Sequence, residues 1–279
     1  MKEISSKDNK IFKEAMSLKE KKYRDRLGLY LIEGWNLLEE AVKCRVEISE
    51  VFLSPDALGH EKSVGIESVF NLQRDGAENK GDYASRKTET YLLTSELFKR
   101  LSDTETSQGI IAVVKKPKDS LDLLSKDDTH SSFICLDRLQ DPGNIGTILR
   151  TADAAGYSLA VIMKGTADIY SPKVVRAATG SLFRMPVVFM DDAESLKSFT
   201  LTAGKKIVAT AMNGEKAYYE EDLSKDICLV IGNEGNGISD EILDLAEIKI
   251  RIPMEGTIES LNASVAAGIL MYERIRNAR

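Results

Sequence analysis

The chain has 279 residues, which is enough for one large or two modest domains, each with its own hydrophobic core. Hydrophobic residues make up 43% and charged residues 29%, the composition of an ordinary globular protein rather than a disordered or fibrous one. No apolar run approaches the roughly 20 residues that span a bilayer, and the N-terminus lacks the apolar segment of a secretory signal. We therefore expect a cytoplasmic protein.

Cysteine and histidine residues are too few and too scattered to predict a metal site. The three cysteines, Cys44, Cys135 and Cys228, are odd in number and lack the paired spacing of metal ligands. The two histidines, His60 and His130, lie in polar, loop-like surroundings. We expect neither a disulfide nor a metal ion, and any catalysis has to use groups other than histidine.

The net charge of −6 argues at first against a nucleic-acid partner, but the charge is unevenly distributed. Residues 1–26 contain nine Lys or Arg and five Asp or Glu. Such a basic patch can neutralise a few phosphates of a nucleic acid even on an acidic protein, although a solvated helix face explains it equally well. The candidate nucleic-acid-binding residues in this patch are Lys19, Lys21, Lys22, Arg24 and Arg26.

The first half of the chain alternates between predicted helices and strands, which indicates a small α/β domain. Apolar residues at helical spacing predict a single helix over residues 6–22. The other predicted elements are strand 29–32, helix 33–42, strand 46–53, an exposed loop at 76–81, helix 95–101 and strand 109–114. A polar stretch then predicts a linker over 116–131 between domains 1–115 and 132–279.

The second half alternates more regularly between apolar strands and helices. Its strands lack a strict polar and apolar alternation, which is typical of a parallel sheet covered on both faces. Ligands of such sheets bind at the carboxyl ends of the strands. Strands are predicted at 132–136, 159–163, 186–189, 206–210, 227–231 and 247–252, and helices at 142–155, 171–180, 192–203, 239–246 and 262–276.

The most informative stretch, residues 137–156, begins a predicted helix. Asp141 is expected to be its N-cap, and Pro142 occupies a position where the missing N–H has no cost. Asn144 and Arg150 belong to a polar stripe opposite an apolar face, and the surroundings of Arg150 look buried. Because a helix N-terminus is electropositive, this stripe predicts a site for an anion such as a phosphate.

Two loops near the C-terminus carry further candidate residues. Residues 231–238 place three glycines after a strong strand, but their spacing matches neither a dinucleotide nor a phosphate-loop motif. A plain strand-to-helix turn and a ligand loop are equally good interpretations, and Glu234 is expected to cap neighbouring amides. Residues 250–264 lead into the last helix, where Ser260 and Asn262 are either helix caps or ligand contacts.

Two helices of the second half each allow a structural and a functional interpretation. The helix that begins near Ser171 carries Lys173 and Arg176, which form either a solvated face or a second phosphate contact. One face of the last helix is apolar, which predicts core packing or a subunit interface. That face comprises Leu261, Val265, Gly268, Ile269, Tyr272 and Ile275.

Three motifs occur in one order: Asn144 to Arg150, 232–237 and 252–264. With them the chain resembles, over nearly its full length, the SpoU/TrmH family of S-adenosylmethionine-dependent RNA ribose 2′-O-methyltransferases. Its N-terminal half is similar to the small RNA-binding domain of that family, notably at 4–9 and 30–34. The resemblance implies a C-terminal α/β domain with a deep trefoil knot, a homodimer, and S-adenosyl-L-methionine as the cofactor.

The resemblance also implies roles for individual residues of this chain. The cofactor-binding positions would be Thr210, Gly232, Ile252, Met254 and Leu261. The catalytic positions would be Arg150, Asn144, Glu234, Asn262 and Ser260. One departure is Ala178, where many relatives carry serine, so a hydroxyl contact at that position is in doubt.

By this resemblance the expected reaction is methyl transfer to a ribose 2′-hydroxyl of 23S ribosomal RNA. Transfer RNA is the alternative substrate, although the simplest tRNA-modifying relatives lack the extra N-terminal domain. A non-catalytic RNA-binding protein of the same fold and a nucleotide-dependent α/β enzyme are further alternatives. The family proposal makes Arg150 the base; because a guanidinium resists deprotonation, our hypothesis is that Arg150 grips a phosphate and stabilises the developing alkoxide.

Overall fold

A computed structural model describes residues 1–59, 88–117, 132–211, 214, 216–258 and 260–277. Residue contacts divide the chain into two compact units, Met1–Lys116 with Tyr170–Arg176, and Pro117–Ile169 with Ala177–Arg279. The predicted loop 76–81 and nearly all of the predicted linker 116–131 lie outside the described residues. None of the helices in the described ranges has both the length and the apolar character needed to cross a membrane.

The first unit is built on a five-stranded mixed sheet. Its strand order is β1-β4-β3-β5-β2, with β1, β4 and β3 mutually parallel and β5 antiparallel to both of its neighbours. The elements are β1 (Lys2–Ile4), α1 (Lys10–Ser17), α2 (Lys21–Leu27), β2 (Leu29–Glu33), α3 (Trp35–Lys43), β3 (Ile48–Leu53), β4 (Glu89–Leu93), α4 (Ser95–Leu101) and β5 (Ile110–Lys115).

The single helix predicted over residues 6–22 is wrong, because the chain forms α1 and α2 instead. The side chain of Asn9 accepts hydrogen bonds from the amides of Ile11 and Phe12, which starts α1 later than predicted. Glu20 has an extended backbone, with φ −99° and ψ 133°, and this separates the two helices. Strands β1 and β4 were not predicted. They pair with each other from opposite ends of the unit, and such pairing leaves no local periodicity in the sequence.

The second unit contains a seven-stranded sheet in which every strand pairing is parallel, as predicted. The strand order is β10-β12-β9-β11-β6-β7-β8. The strands are β6 (Phe133–Leu136), β7 (Leu159–Met163), β8 (Val187–Met190), β9 (Lys206–Thr210), β10 (Lys216–Ala217), β11 (Ile227–Ile231) and β12 (Ile248–Arg251). Strands β6, β7 and β11 are buried over their whole length, which explains their continuous apolar sequences.

The helices of the second half connect these parallel strands. They are α5 (Pro142–Ala154), α6 (Pro172–Ala178), α7 (Ser181–Arg184), α8 (Ala193–Thr202), α9 (Asp240–Leu245) and α10 (Ala263–Asn277). The helix predicted over 171–180 is shorter than expected. Thr179 and Gly180 adopt positive φ angles of 49° and 87°, which end α6 and separate it from α7.

The strand order determines where the loops of the second unit meet. Ile231, at the end of β11, pairs with Leu136, at the end of β6. On its other side β11 pairs with β9, which in turn pairs with β12 so that Ile250 lies opposite Thr210. The loops that follow β12, β9, β11 and β6 therefore leave the same edge of the sheet side by side.

Candidate functional site

The first turn of α5 is organised as the sequence predicts. Oδ1 of Asp141 accepts a hydrogen bond from the backbone N–H of Asn144 at 2.7 Å, and Pro142 is the first helical residue. Ile145 and Ile148, on the apolar face, are completely buried. The cap and the buried face together hold this turn rigidly at the carboxyl end of β6.

Glu234 joins the loop after β11 to the first turn of α5. Its carboxylate accepts hydrogen bonds from the backbone N–H groups of Gln140 and Asp141 at 3.2 and 3.1 Å. It also accepts one from Nδ2 of Asn144 at 3.2 Å, so the predicted capping of neighbouring amides is confirmed. Burial raises the pKa of this carboxyl. The hydrogen bonds from its own amide, Asn144, Asp141 and Gln140 outweigh burial and hold the pKa below its ordinary value.

Asn233, which the sequence analysis did not single out, shapes the glycine-containing loop. Its Oδ1 accepts hydrogen bonds from the amides of Gly235 and Asn236, both at 3.0 Å. Its Nδ2 donates to the carbonyl oxygen of Arg138 at 2.8 Å, which ties the loop to the segment after β6. An asparagine flanked by glycines is the sequence signal of such a side-chain turn.

Asp137, which opens the motif before α5, is a second residue whose role the sequence analysis missed. It follows directly after β6 and is almost completely buried. Its Oδ2 accepts a hydrogen bond from the amide of Ser239 at 2.7 Å, and its Oδ1 accepts one from Nε of Arg138 at 3.2 Å. A carboxylate directly after a buried parallel strand was the signal that could have identified it.

Three of the predicted cofactor-binding residues lie at the ends of adjacent strands. Thr210 ends β9, Gly232 follows β11 and Ile252 follows β12. All three are half-buried, as are Met254 and Leu261 on the segment that leads to α10. Thr210, Gly232 and Ile252 therefore lie together at the carboxyl edge of the sheet.

Glycine is required at position 232 by the close approach of two backbone segments. A Cβ atom there would overlap the backbone nitrogen of Ile238 and the carbonyl carbon of Gly237. Asn233 and Gly237 pair with each other through two backbone hydrogen bonds of 3.0 and 2.9 Å, which close the loop. The loop is therefore a compact turn whose backbone is exposed toward the edge of the sheet.

Arg150 and Asn144 do not share one environment. Asn144 is buried against Glu234, whereas Arg150 is exposed, so the expectation that Arg150 is buried is wrong. Six residues along a helix correspond to a rotation of about 240° relative to the start, which places the two side chains on different faces. Within the described ranges, the side chain of Arg150 forms no hydrogen bond or ion pair with another residue.

The two predicted catalytic residues before α10 differ in their contacts. Oδ1 of Asn262 accepts hydrogen bonds from the amides of Ser264 and Val265 at 2.9 and 3.3 Å, and from the Ser264 hydroxyl at 2.6 Å. Asn262 is therefore the N-cap of α10, which supports the capping interpretation. Ser260 is exposed. Neither residue is hydrogen-bonded to Asn144 or Glu234 in the part of the chain that the structure describes.

The basic patch of the first unit is only partly available to a ligand. Arg24 is 3% exposed and its Nη1 donates to the carbonyl oxygen of Leu18 at 2.6 Å, so its prediction as an RNA-binding residue is wrong. Lys19 is half-buried and donates to the carbonyl oxygens of Arg100 and Ser102. The side chains that remain exposed are Lys21, Lys22 and Arg26, and the last two flank the ring of Tyr23 at 4.7 and 4.8 Å.

The remaining predicted contacts lie on α6 and α10. Lys173 and Arg176 are both exposed, and Nη1 of Arg176 lies 3.7 Å from Oδ2 of Asp103. Val265 and Tyr272 on α10 are 52% and 51% exposed, whereas the other residues of the predicted apolar face are half-buried, so this face is only partly packed in the single chain. Of the described residues, no three His, Cys, Asp or Glu side chains are grouped to hold a metal ion.

Comparison with known proteins assigns both halves of the chain. Residues 131–272 match the SpoU rRNA Methylase family, and residues 9–112 match the MRM3-like substrate binding domain. The chain is 33% identical over 276 residues to the 23S rRNA (guanosine(2553)-2'-O)-methyltransferase RlmP of Bacillus subtilis, with 98% of each chain covered. It is 35% identical over 200 residues to the 23S rRNA (uridine(2479)-2'-O)-methyltransferase of Streptomyces viridochromogenes, with 68% of each covered.

Two solved structures share the fold of the whole chain. The AdoMet-bound rRNA methyltransferase from Sinorhizobium meliloti has a TM-score of 0.83 at 28% identity, covering 100% of this chain and 98% of that one. The SpoU methyltransferase AviRb from Streptomyces viridochromogenes, in complex with AdoMet, has a TM-score of 0.84 at 27% identity, covering 97% and 98%. The family match, the full-length relative and these structures agree with one another, and the chain belongs to the SpoU rRNA Methylase family.

Proposed function

We propose that the protein is an S-adenosyl-L-methionine-dependent RNA ribose 2′-O-methyltransferase whose substrate is 23S ribosomal RNA. The observation that carries the proposal is the Glu234–Asn144 hydrogen bond, which joins the glycine loop to the first turn of α5 at the carboxyl edge of a parallel sheet. The choice of substrate is supported by relatives of matching length whose names specify 23S ribosomal RNA.

The edge formed by β12, β9 and β11 fits a sulfonium cofactor with an adenosine and an amino-acid part. Gly232 allows the backbone at Gly237 and Ile238 to close the loop next to this edge, and Ile252, Met254 and Leu261 offer half-buried apolar surface. When bound, the cofactor supplies a methyl group that is already activated by the positive sulfur.

The protein then has to orient a ribose 2′-hydroxyl toward that methyl group and assist the loss of its proton. Positioning alone supplies about 7–11 kcal/mol in favourable cases. Glu234 and Asn144 hold the two loops that border the acceptor position, and Arg150 is exposed and unpaired in the described ranges. In our proposal Arg150 binds the phosphate next to the ribose and stabilises the developing alkoxide, and the proton passes to phosphate or water.

The substrate is tested by mapping ribose methylation in total RNA from cells with and without the protein, and in vitro with purified RNAs. We expect one 2′-O-methyl group in 23S ribosomal RNA that disappears without the protein. A modification confined to tRNA would replace the proposed substrate by the tRNA alternative. Absence of both modifications, together with no calorimetric binding of S-adenosylmethionine, would overturn the proposal. Calorimetry with NAD would then separate the nucleotide-dependent enzyme from the non-catalytic RNA-binding alternative.

The role of Arg150 is tested by Arg150→Lys, which keeps the charge and removes the planar fork. We expect turnover to fall about 100-fold, the loss typical of removing one donor to a developing oxyanion. Lys206→Gln is the control, since Lys206 is exposed at the amino end of β9, away from the carboxyl edge. Near-normal turnover of Arg150→Lys would contradict this role.

A homodimer, a trefoil knot and a cytoplasmic location complete the proposal. The dimer is supported by the exposed apolar residues Val265 and Tyr272 on α10. The knot is supported by the strand order, in which β11 is inserted between β9 and β6. The location rests on the sequence alone.

A further inference from the structure

Arg138 has a backbone conformation that favours glycine. Its φ angle is +58°, in the left-handed region where a side chain is strained. Its N–H donates to Oγ1 of Thr166 at 3.0 Å, and its carbonyl oxygen accepts from Nδ2 of Asn233 at 2.8 Å and from Nε2 of Gln140 at 3.0 Å. Three neighbouring segments thus hold this residue in a conformation that it would not adopt by itself.

The guanidinium of Arg138 is hydrogen-bonded through Nε, whereas its two Nη atoms have no hydrogen-bond partner among the described residues. Its Nε donates to Oδ1 of Asp137 at 3.2 Å; the Asp137 side chain is 3% exposed and that of Arg138 is 41% exposed. The aliphatic stem passes over Gly165, where a Cβ atom would lie 3.1 Å from Cγ of Arg138. Across the described ranges, neither Nη1 nor Nη2 makes a hydrogen bond. The guanidinium is therefore oriented in advance, and the edge suited to bidentate binding is open.

The position of Arg138 places this open edge beside the candidate site. Arg138 lies two residues after β6, at the carboxyl edge of the sheet, and three residues before the N-cap Asp141. Asn233 holds the backbone of Arg138, and the next residue in the same loop, Glu234, holds Asn144. One loop therefore sets the positions of both Arg138 and Asn144.

Pairing with the buried carboxylate of Asp137 does not by itself explain why the Nη atoms of Arg138 are exposed. Oδ2 of Asp137 is already satisfied by the amide of Ser239 at 2.7 Å, and Oδ1 takes a single bond from Nε. Only one of the five guanidinium donors is used for that purpose. The exposed edge formed by Nη1 and Nη2 matches a ligand with two acceptor oxygens.

We propose that Arg138 binds a phosphodiester group of the RNA substrate through Nη1 and Nη2. The inference rests on the function proposed above and adds a second cationic contact, on a different segment from Arg150. A phosphodiester offers two anionic oxygens in the spacing that an arginine fork prefers, whereas a ribose hydroxyl offers a single acceptor. No proton transfer is assigned to Arg138.

The test compares Arg138→Gln and Arg138→Lys with the unchanged protein. Arg138→Gln removes the charge and keeps an amide donor for Asp137. We expect its KM for RNA to rise about 5–10-fold at 0.1 M salt, and the slope of log affinity against log salt to fall by about 0.7, as for one lost phosphate contact to single-stranded RNA. S-adenosylmethionine binding and kcat should change less than twofold. Arg138→Lys should keep the slope of the unchanged protein and lose only part of the affinity.

Lys164→Gln is the matched control, because Lys164 is an exposed cation next to Gly165 that is paired with Asp191 at 3.5 Å. An unchanged RNA KM and salt slope in Arg138→Gln would overturn the inference, as would equal losses in Lys164→Gln. Loss of cofactor binding and of thermal stability in Arg138→Gln, with normal RNA affinity in Arg138→Lys at all salt concentrations, would assign Arg138 a structural role instead. Failure of the unchanged protein to methylate RNA would overturn the proposed function itself. The RNA contact of Arg138 is judged instead by the difference in RNA affinity between the unchanged protein and Arg138→Gln.

Discussion

The carboxylate of Glu234 accepts a hydrogen bond from the side-chain amide of Asn144 at 3.2 Å, although 90 residues separate them along the chain. The same carboxylate holds the amides of Gln140 and Asp141. The glycine loop after β11 and the first turn of α5 thus depend on each other for their positions. This relationship links the segment predicted to hold the cofactor to the helix that carries Arg150.

Replacing Glu234 by glutamine should uncouple these two segments. A glutamine keeps the size of the side chain but turns one acceptor oxygen into a donor, which opposes the three donors that surround it. We expect a loss of about 0.5–1.5 kcal/mol of stability, since only the Asn144 side chain among the three donors is buried. We also expect a fall in kcat/KM of about 10–100-fold. Methylation kinetics and thermal unfolding measure both effects. Glu241→Gln, an exposed acid on α9, is the control and should change neither.

Gly232→Ala and Gly235→Ala form a matched pair within one loop. At position 232 the added Cβ overlaps the backbone of Ile238 and Gly237, whereas at position 235 it meets only Oδ1 of Asn233 at 3.6 Å. We expect Gly232→Ala to weaken S-adenosylmethionine binding at least tenfold, measured by titration calorimetry, and Gly235→Ala to leave it within twofold. Equal affinities for the two variants would contradict the close approach at Gly232.

Substitution of Arg24 should affect mainly stability, whereas substitution of Lys22 should affect mainly RNA binding. Arg24→Met removes a buried donor to Leu18 and should lower stability by about 1–3 kcal/mol, with little specific effect on RNA affinity of the folded protein. Lys22→Met changes an exposed side chain beside Tyr23 and should weaken RNA binding with an unchanged Tm. Chemical denaturation and RNA titrations at several salt concentrations separate the two. An unchanged Tm in Arg24→Met would show that its burial does not matter.

The lowered pKa of Glu33 predicts that the stability of the first unit depends on pH. Burial raises the pKa of this carboxyl, but hydrogen bonds outweigh burial and hold the pKa below its ordinary value of 4.5. The donors are the hydroxyls of Ser102, Thr104 and Ser107 and the amide of Asp103, at 2.6, 2.6, 2.7 and 3.0 Å.

Because the folded-state pKa is the lower one, the stabilisation by Glu33 is complete above the unfolded-state pKa and is lost as pH falls through the folded-state value. The Tm difference between the unchanged protein and Glu33→Gln should therefore be largest near pH 7 and shrink below about pH 4.5. Glu105→Gln, an exposed acid in the same loop, is the control. A Tm difference that grows on acidification would contradict the direction of the pKa shift.

The exposed face of α10 predicts self-association. Val265→Glu introduces a charge on the apolar face and should shift the protein from dimer to monomer in sedimentation experiments. Leu201→Glu is the matched control, since Leu201 is 73% exposed on α8 and belongs to no apolar face that we assign to an interface. A monomeric unchanged protein, or dissociation by both variants alike, would contradict a dimer built on α10.

Much of the second unit was predictable because its signals are local. Strands 159–163, 206–210 and 227–231 have the bounds predicted from their apolar runs, and Asp141 caps α5 as predicted. In the first unit, the extended residue Glu20 divides the predicted helix. Strands β1 and β4 were missed because their pairing is long-range and leaves no periodic pattern.

The sequence by itself determined the α/β class, the parallel sheet and the caps, because these depend on hydrophobic runs and on side chains within about four residues of the backbone groups that they satisfy. Only the tertiary structure decided that Glu234 binds Asn144, that Arg24 is buried and that Arg138 has an open guanidinium edge. The physical reason for the contacts of Glu234 and Arg138 is the strand order: β11 lies beside β6, and this brings together loops that are distant in the chain. Arg24 is buried because its guanidinium folds back onto the carbonyl oxygen of Leu18, between α1 and α2.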